Sequence, residues 1–170
     1  MFQINSSQYN YQYGNQIHLP YSIAMLFSYV KSKEKLAQNF KFEKTSVLRD
    51  RIDHDIKKCK NTDILLCSCY VWNWEITVNL AEEVKKINPD CLIIFGGPQV
   101  PNNSEGFFEK YPFVDILVHG EGEYIIENIL IKQGYQAANP AFKNKFTRLL
   151  KWSYDLKYYP LGLFKFMKPS

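Results

Sequence analysis

IIFGGPQ, residues 93–99, is an apolar run cut short by two glycines and a proline. Extended back to Cys91, it reads as a strand with no polar face. Such a run suits a strand covered on both sides, as in a parallel sheet flanked by helices. The same syntax occurs twice more. DILLCSCY (63–70) is continuous and apolar and stops at VWN, and VDILVH (114–119) stops at GEGE (120–123). Each run is followed by apolar residues at helical spacing.

Working outward, Trp74, Thr77, Leu80, Ala81, Val84 and Ile87 form one helical face after the first of these runs. Asn73 is a suitable cap for that helix, and Pro89 stops it. PNNSEGFFEKY holds a short helix with Ser104 as a cap. Ile125, Ile126, Ile129 and Leu130 start a last helix, which Gly134 is expected to end. Upstream, FQIN (2–5) reads as the end of a first strand and SSQYNYQYGNQIH (6–18) as a loop. LPYSIAMLFSYVKSKEKL (19–36) reads as one helix with Pro20 early in it. NFKFEKTSV alternates like a short strand, and Leu48, Ile52, Ile56 and Cys59 mark a further helix. Strand and helix thus alternate about five times. That order predicts an α/β fold, a doubly wound, flavodoxin-like (Rossmann-like) parallel sheet of five strands in the order 2-1-3-4-5. The expected domain is 1–134, with 135–170 as an irregular linker or docking tail rich in aromatics.

Composition supports a globular chain. Of 170 residues, 46% are hydrophobic and 22% charged, and the net charge is only +4. Scattered lysines of that excess give no basic patch, so no nucleic-acid partner is expected. No apolar run has the roughly 18 residues of a membrane span, and polar residues follow Met1, so neither a membrane segment nor a signal peptide is read. Cys59, Cys67, Cys69 and Cys91 fit buried free thiols in a reducing cytoplasm. Cys67 and Cys69 share one face of their strand and read as core rather than as a soft-metal pair.

In open α/β sheets, ligands bind beyond the carboxyl ends of the strands. Four segments lie at that edge: the 6–18 loop, CYVWNW, GGPQVP and HGEGE. Glycine there permits positive φ and close backbone approach, although strand-to-helix turns often carry glycine for geometry alone. Several ligands are excluded by missing motifs. The first loop has no G-x-G-x-x-G, no G-x-x-x-x-G-K-[ST] occurs, and the third strand ends without a receiver-type Asp.

One pattern remains. Gly96-Gly97-Pro98, then Pro112-x-Val114-Asp115, then Gly120-Glu121-Gly122-Glu123 closely resembles the cobalamin-binding domain at the N-terminus of radical S-adenosylmethionine enzymes. The resemblance covers roughly residues 2–132. It implies a cobalamin cofactor held by Tyr13, Gly14, Pro20 and Ser22 from the first loop and helix, by Cys69, Tyr70, Val71, Trp72 and Asn73, by Gly96, Gly97, Pro98 and Gln99, and by Gly120, Glu121, Gly122 and Glu123. The Asp-x-His-x-x-Gly of other cobalamin domains is missing, and His18, His54 and His119 have the wrong neighbours. The resemblance therefore implies a cobalt without a protein histidine. The cysteines match no C-x-x-x-C-x-x-C, so no iron-sulfur cluster is expected in this chain. YYPLGLFKF (158–166) looks like the linker that precedes the radical domain in relatives. The expectation is a cofactor-carrying part of a methyl-transferring enzyme, truncated or split before its barrel and not catalytic alone. A separate radical-domain protein could dock through the tail. Two alternatives stay open: a degenerate flavodoxin-like domain with a structural or interaction role, and a small enzyme using Glu121 and Glu123 as an acid/base pair.

Overall fold

The structure, a computed structural model, describes residues 1–13 and 16–137. Its core is a five-stranded, all-parallel sheet. The strands are β1 (Phe2–Ser7), β4 (Phe40–Phe42), β5 (Ile64–Ser68), β6 (Leu92–Gly96) and β7 (Ile116–Val118), in the order β4-β1-β5-β6-β7. Counted along the chain, that is the expected 2-1-3-4-5. A two-stranded antiparallel ribbon, β2 (Gln12–Tyr13) with β3 (Gln16–Ile17), interrupts the first loop.

Strand alternation sorts the core into two faces. Ile64, Leu66, Ile94, Ile116 and Val118 point to one side, against α1 (Tyr21–Lys31), α2 (Glu34–Ala37) and α6 (Gly122–Ala137). Leu65, Cys67, Ile93, Phe95 and Leu117 point to the other, against α3 (Ile52–Lys58), α4 (Trp74–Ile87) and α5 (Phe107–Lys110). Leu80 and Val84 of α4 are fully covered, each such burial contributing about 1.5–3 kcal/mol. Cys67 and Cys69 both enter that second face, as their spacing requires. Among the described residues no helix is long and apolar enough to cross a membrane.

Several elements differ from their sequence reading. β1 runs on through Ser6 and Ser7, which pair with Leu66 and Cys67 of β5. Their hydroxyl-bearing side chains concealed a central strand. The long first helix is two helices, because the Ser32 hydroxyl donates back to the Tyr29 carbonyl at 2.7 Å and Lys33 leaves helical geometry. Pro20 stands just outside α1, at its cap position. Gly134 does not end α6, which runs to Ala137; an interior glycine costs about 1 kcal/mol and does not force a stop. Ser104 is not the cap of α5; Gly106 holds that position with φ +68°.

Asp115 explains part of the recognisable pattern. Its carboxylate accepts hydrogen bonds from Lys85 Nζ at 2.8 Å and from the Ile93 amide at 2.7 Å. Lys85 also donates to the Cys91 carbonyl. This residue of the P-x-V-D stretch thus ties α4 to the start of β6 and β7, at the end of the sheet away from the glycine turns.

Candidate functional site

The carboxyl edge of β5, β6 and β7 opens into a slot of about 370 Å³ between α1 and α6. Leu66, Ile94 and Val118 contribute to its lining from the strands, Ile23, Met25 and Leu26 from α1, and Ile126 from α6. Its polar groups are few: Tyr21, Ser22, Ser68, Tyr70, Glu121 and Glu123. Among the described residues no lysine, arginine or histidine lines it. A slot of this kind suits a neutral, largely apolar group and offers nothing cationic to a phosphate.

The glycine turns border this slot for different reasons. Gly97 has φ +107°, and a Cβ there would stand 2.6 Å from the Cys69 carbonyl oxygen and 3.1 Å from its nitrogen. The neighbour that excludes a side chain is therefore the adjacent loop's backbone. That backbone is held in turn: the Cys69 amide donates to the Gly96 carbonyl at 2.6 Å, and the Gln99 amide donates to the Cys69 carbonyl at 3.2 Å. Gly120 is the opposite case. Its φ is +74°, yet nothing lies within 4 Å of its missing Cβ, and it borders the slot. Gly122 is packed on Leu26, whose Cδ2 would lie 3.0 Å from an added Cβ, and Gly96 has only ordinary contact with Val118.

The loop from Cys69 to Asn73 is tied on several sides. Asn73 is buried at the head of α4, but its amide does not cap the helix. It turns back instead, donating to the Ser68 carbonyl at 2.9 Å and accepting from the Tyr70 amide at 2.8 Å. Tyr70 spans to α1, its hydroxyl 2.6 Å from Ser22 Oγ. Its ring stacks on Trp72 at 4.5 Å between centroids, 13° from parallel. Trp72 Nε1 donates to Asn10 Oδ1 at 3.4 Å. The result is a flat aromatic step at the rim of the slot, beside a Val71 that is 74% exposed.

Of the residues expected from sequence, Ser22, Tyr70, Gly96, Gly97, Pro98, Gly120, Glu121, Gly122 and Glu123 are brought together around the slot. Val71 and Trp72 stand outside its lining, on the exposed loop. The Cys69 thiol is turned into the opposite core face, where burial pushes it well above the ordinary thiol range. Asn73 serves the loop, and Gln99 and Pro20 do not line the slot. Tyr13 lies in β2, while Gly14 and the tail from 138 onward, with YYPLGLFKF, lie outside the described residues. His54 is on α3, 74% exposed and 3.6 Å from Asp55. Missed in the sequence were Tyr21, Met25 and Leu26 of α1 and Ile126 of α6. Leu26 and Ile126 lie on helical faces that carry core residues, which was their only signal, whereas Tyr21 and Met25 are exposed and gave none.

Tyr9 and Asp55 were also unforeseen. Tyr9, in the first loop just after β1, is fully buried, and its hydroxyl donates to Asp55 Oδ2 at 3.0 Å. Burial, with the nearby carboxylate, pushes the phenol far up, so it stays a donor.

A family model and two known proteins match a large part of this chain. A family model described as the B12 binding domain matches residues 27–130. A 2-(S-pantetheinyl)-carbapenam-3-carboxylate methyltransferase of Streptantibioticus cattleyicolor is 35% identical over 115 residues, 68% of this chain and 17% of that protein. The cobalamin-dependent radical SAM methyltransferase TokK of Streptomyces tokunonensis is 36% identical over 112 residues, 66% of this chain and 16% of that protein. The matched stretch thus spans about a sixth of the length of these relatives.

Proposed function

Because the chain belongs to the B12-binding domain family, we propose that its slot and aromatic rim hold cobalamin and present it to a radical S-adenosylmethionine catalytic domain. The domain resembles the N-terminal part of cobalamin-dependent radical S-adenosylmethionine methyltransferases. The observation that carries the placement is the convergence of three loops and two helix starts on one apolar slot at the carboxyl edge of the sheet.

The residues present fit such a group. A corrin is a broad, flat ring that needs apolar support, and Tyr70 and Trp72 offer a flat surface at the rim. The slot lies at the small end of ligand cavities, so it suits one arm of the cofactor rather than the ring. Gly120 leaves backbone open to close approach. Ser22, Tyr70, Glu121 and Glu123 supply the polar groups that orient a bound amide-rich edge, because amides removed from water need partners. When bound, cobalamin supplies a cobalt able to carry a methyl group; the protein contributes binding and orientation. The reading without a histidine ligand rests on the missing Asp-x-His-x-x-Gly motif. Radical generation and substrate contact are assigned to a further domain or separate protein, in keeping with the greater length of the relatives.

The test is a visible absorption titration of the folded protein with hydroxocobalamin, followed by gel filtration. Stoichiometric retention of the corrin is expected, with a spectrum lacking nitrogen coordination from below. A folded protein that retains no corrin would refute the reading and favour a domain that acts through protein contact alone.

A further inference from the structure

We propose that Arg49, on the loop between β4 and α3, is the positioning residue of the site. It fixes the Tyr70–Trp72 step and thereby sets how tightly a corrin is held. The inference rests on the cobalamin reading above. Nothing in the glycine pattern points to this residue, which lies outside every motif discussed so far.

The argument is one of connectivity. Trp72 is 40% exposed and Val71 is 74% exposed, so burial alone does not hold the outer part of this loop. Asn73 secures its base, and the Ser22 bridge secures Tyr70. Beyond its stacking on Tyr70, what secures Trp72 is polar. Arg49 Nη2 donates to the Trp72 carbonyl, and Asn10 receives the indole N–H. The same guanidinium lies over the Tyr11 ring, 4.6 Å from its centroid. Arg49 therefore joins three segments at one point: its own loop, the first loop through Tyr11, and the β5–α4 loop through Trp72. A guanidinium can stack on a ring while its in-plane N–H groups reach a carbonyl; a lysine ammonium offers the charge without the plane.

A step held this way is preorganised. If the step is loosened, the ligand must order it on binding, and affinity falls by that cost. Arg49 need not touch the cofactor for this effect, which acts through Trp72.

The experiment compares wild type, Arg49→Ala and Arg49→Lys in a Trp152→Phe background, which leaves as emitters Trp72 and the partly buried Trp74, the latter common to all three. Iodide quenching without corrin reads the ordering of Trp72, and hydroxocobalamin titration reads affinity. Arg49→Ala is expected to raise quenching and to raise the corrin Kd about tenfold, with Arg49→Lys between it and wild type. Unchanged quenching, or raised quenching with an unchanged Kd, overturns the inference. If Arg49→Ala fails to fold, Arg49→Lys decides, and a wild-type Kd in that variant overturns the inference. A wild type that binds no corrin sinks the cobalamin reading itself, and this inference with it. A binding wild type with indifferent Arg49 variants sinks this inference alone.

Discussion

Replacing Gly97 and Gly120 by alanine separates the two meanings of a glycine turn. At Gly97 an alanine meets two penalties. Its φ of +107° lies outside the regions L-residues favour, at a cost of about 1–3 kcal/mol. Its Cβ would also sit 2.6 Å from the Cys69 carbonyl oxygen, and overpacking costs about 1–3 kcal/mol more. The neighbour cannot simply move, because Cys69 is bonded to Gly96 on one side and Gln99 on the other. The sum is about 4 kcal/mol, a large share of the 5–15 kcal/mol typical of a domain. At Gly120 only backbone strain applies, about 1–2 kcal/mol, since the Cβ direction is open. With a urea m-value near 2 kcal/mol per molar, Gly97→Ala should lower the unfolding midpoint by about 2 M and Gly120→Ala by about 0.5–1 M. Far-UV circular dichroism in urea measures both. Corrin retention should show the reverse economy: Gly120→Ala, still folded, should bind more weakly because its methyl projects beside the slot. Equal midpoint shifts, or a Gly97→Ala cost below about 1 kcal/mol, would refute the assignment of Gly97 to loop packing.

Three further outcomes are expected. All four thiols are pushed up by burial, Cys67 to about 12, so the folded chain keeps protons that the unfolded chain releases above about pH 8.5. Their contribution is whole below that pH and falls as pH rises toward 12, by up to about 1.4 kcal/mol per unit per thiol. Urea midpoints at pH 8 and pH 10 should show the loss, and Cys67→Ala should make it shallower; an equally steep fall in that variant counts against the thiols. Tyr9→Phe removes the hydroxyl donor to buried Asp55 and should cost about 1–3 kcal/mol by the same unfolding assay, against near zero if water replaces the donor. Asn73→Ala removes both ties across the Ser68–Tyr70 turn and should cost about 2–4 kcal/mol, with corrin binding weakened beyond what the stability loss explains; intact binding would show that the turn holds its shape without the amide.

What was legible in the sequence follows from what each residue faces. β5, β6 and β7 announced themselves because both of their faces are buried, leaving no polar interruption. β1 was read short because Ser6 and Ser7 satisfy their backbone in the ladder while carrying side chains that look like loop. The β2–β3 ribbon escaped notice within a polar, aromatic stretch whose Tyr-Gly-Asn-Gln centre is its one signal. Around the site, glycines and their acidic neighbours were visible because a backbone requirement shows as residue type. Met25, Leu26 and Ile126 were not, since an apolar helix position reads the same whether it meets a sheet or a slot; the difference arises from how α1 and α6 pack on the strands. At Gly97 the glycine also answers to the Cys69 backbone, a contact the sequence does not show. A glycine records that something is close, not whether that something is ligand or chain.

The two helices that wall the slot are fastened unequally. Tyr29 and Lys33, at and just beyond the end of α1, reach Glu127 of α6 by a 2.6 Å hydrogen bond and a 3.8 Å ion pair. At the other end they meet through the packing of Leu26 beside Gly122, and the start of α1 is tied elsewhere, Ser22 to the Tyr70 hydroxyl and the Ile23 amide to Gln8 Oε1. The polar clasp between the two helices thus lies away from the opening, while at the mouth α1 is tied to the loops instead. The first turn of α1 therefore takes its position from the loops, and a change in the Cys69–Asn73 loop reaches the wall of the slot through Ser22 without passing through α6.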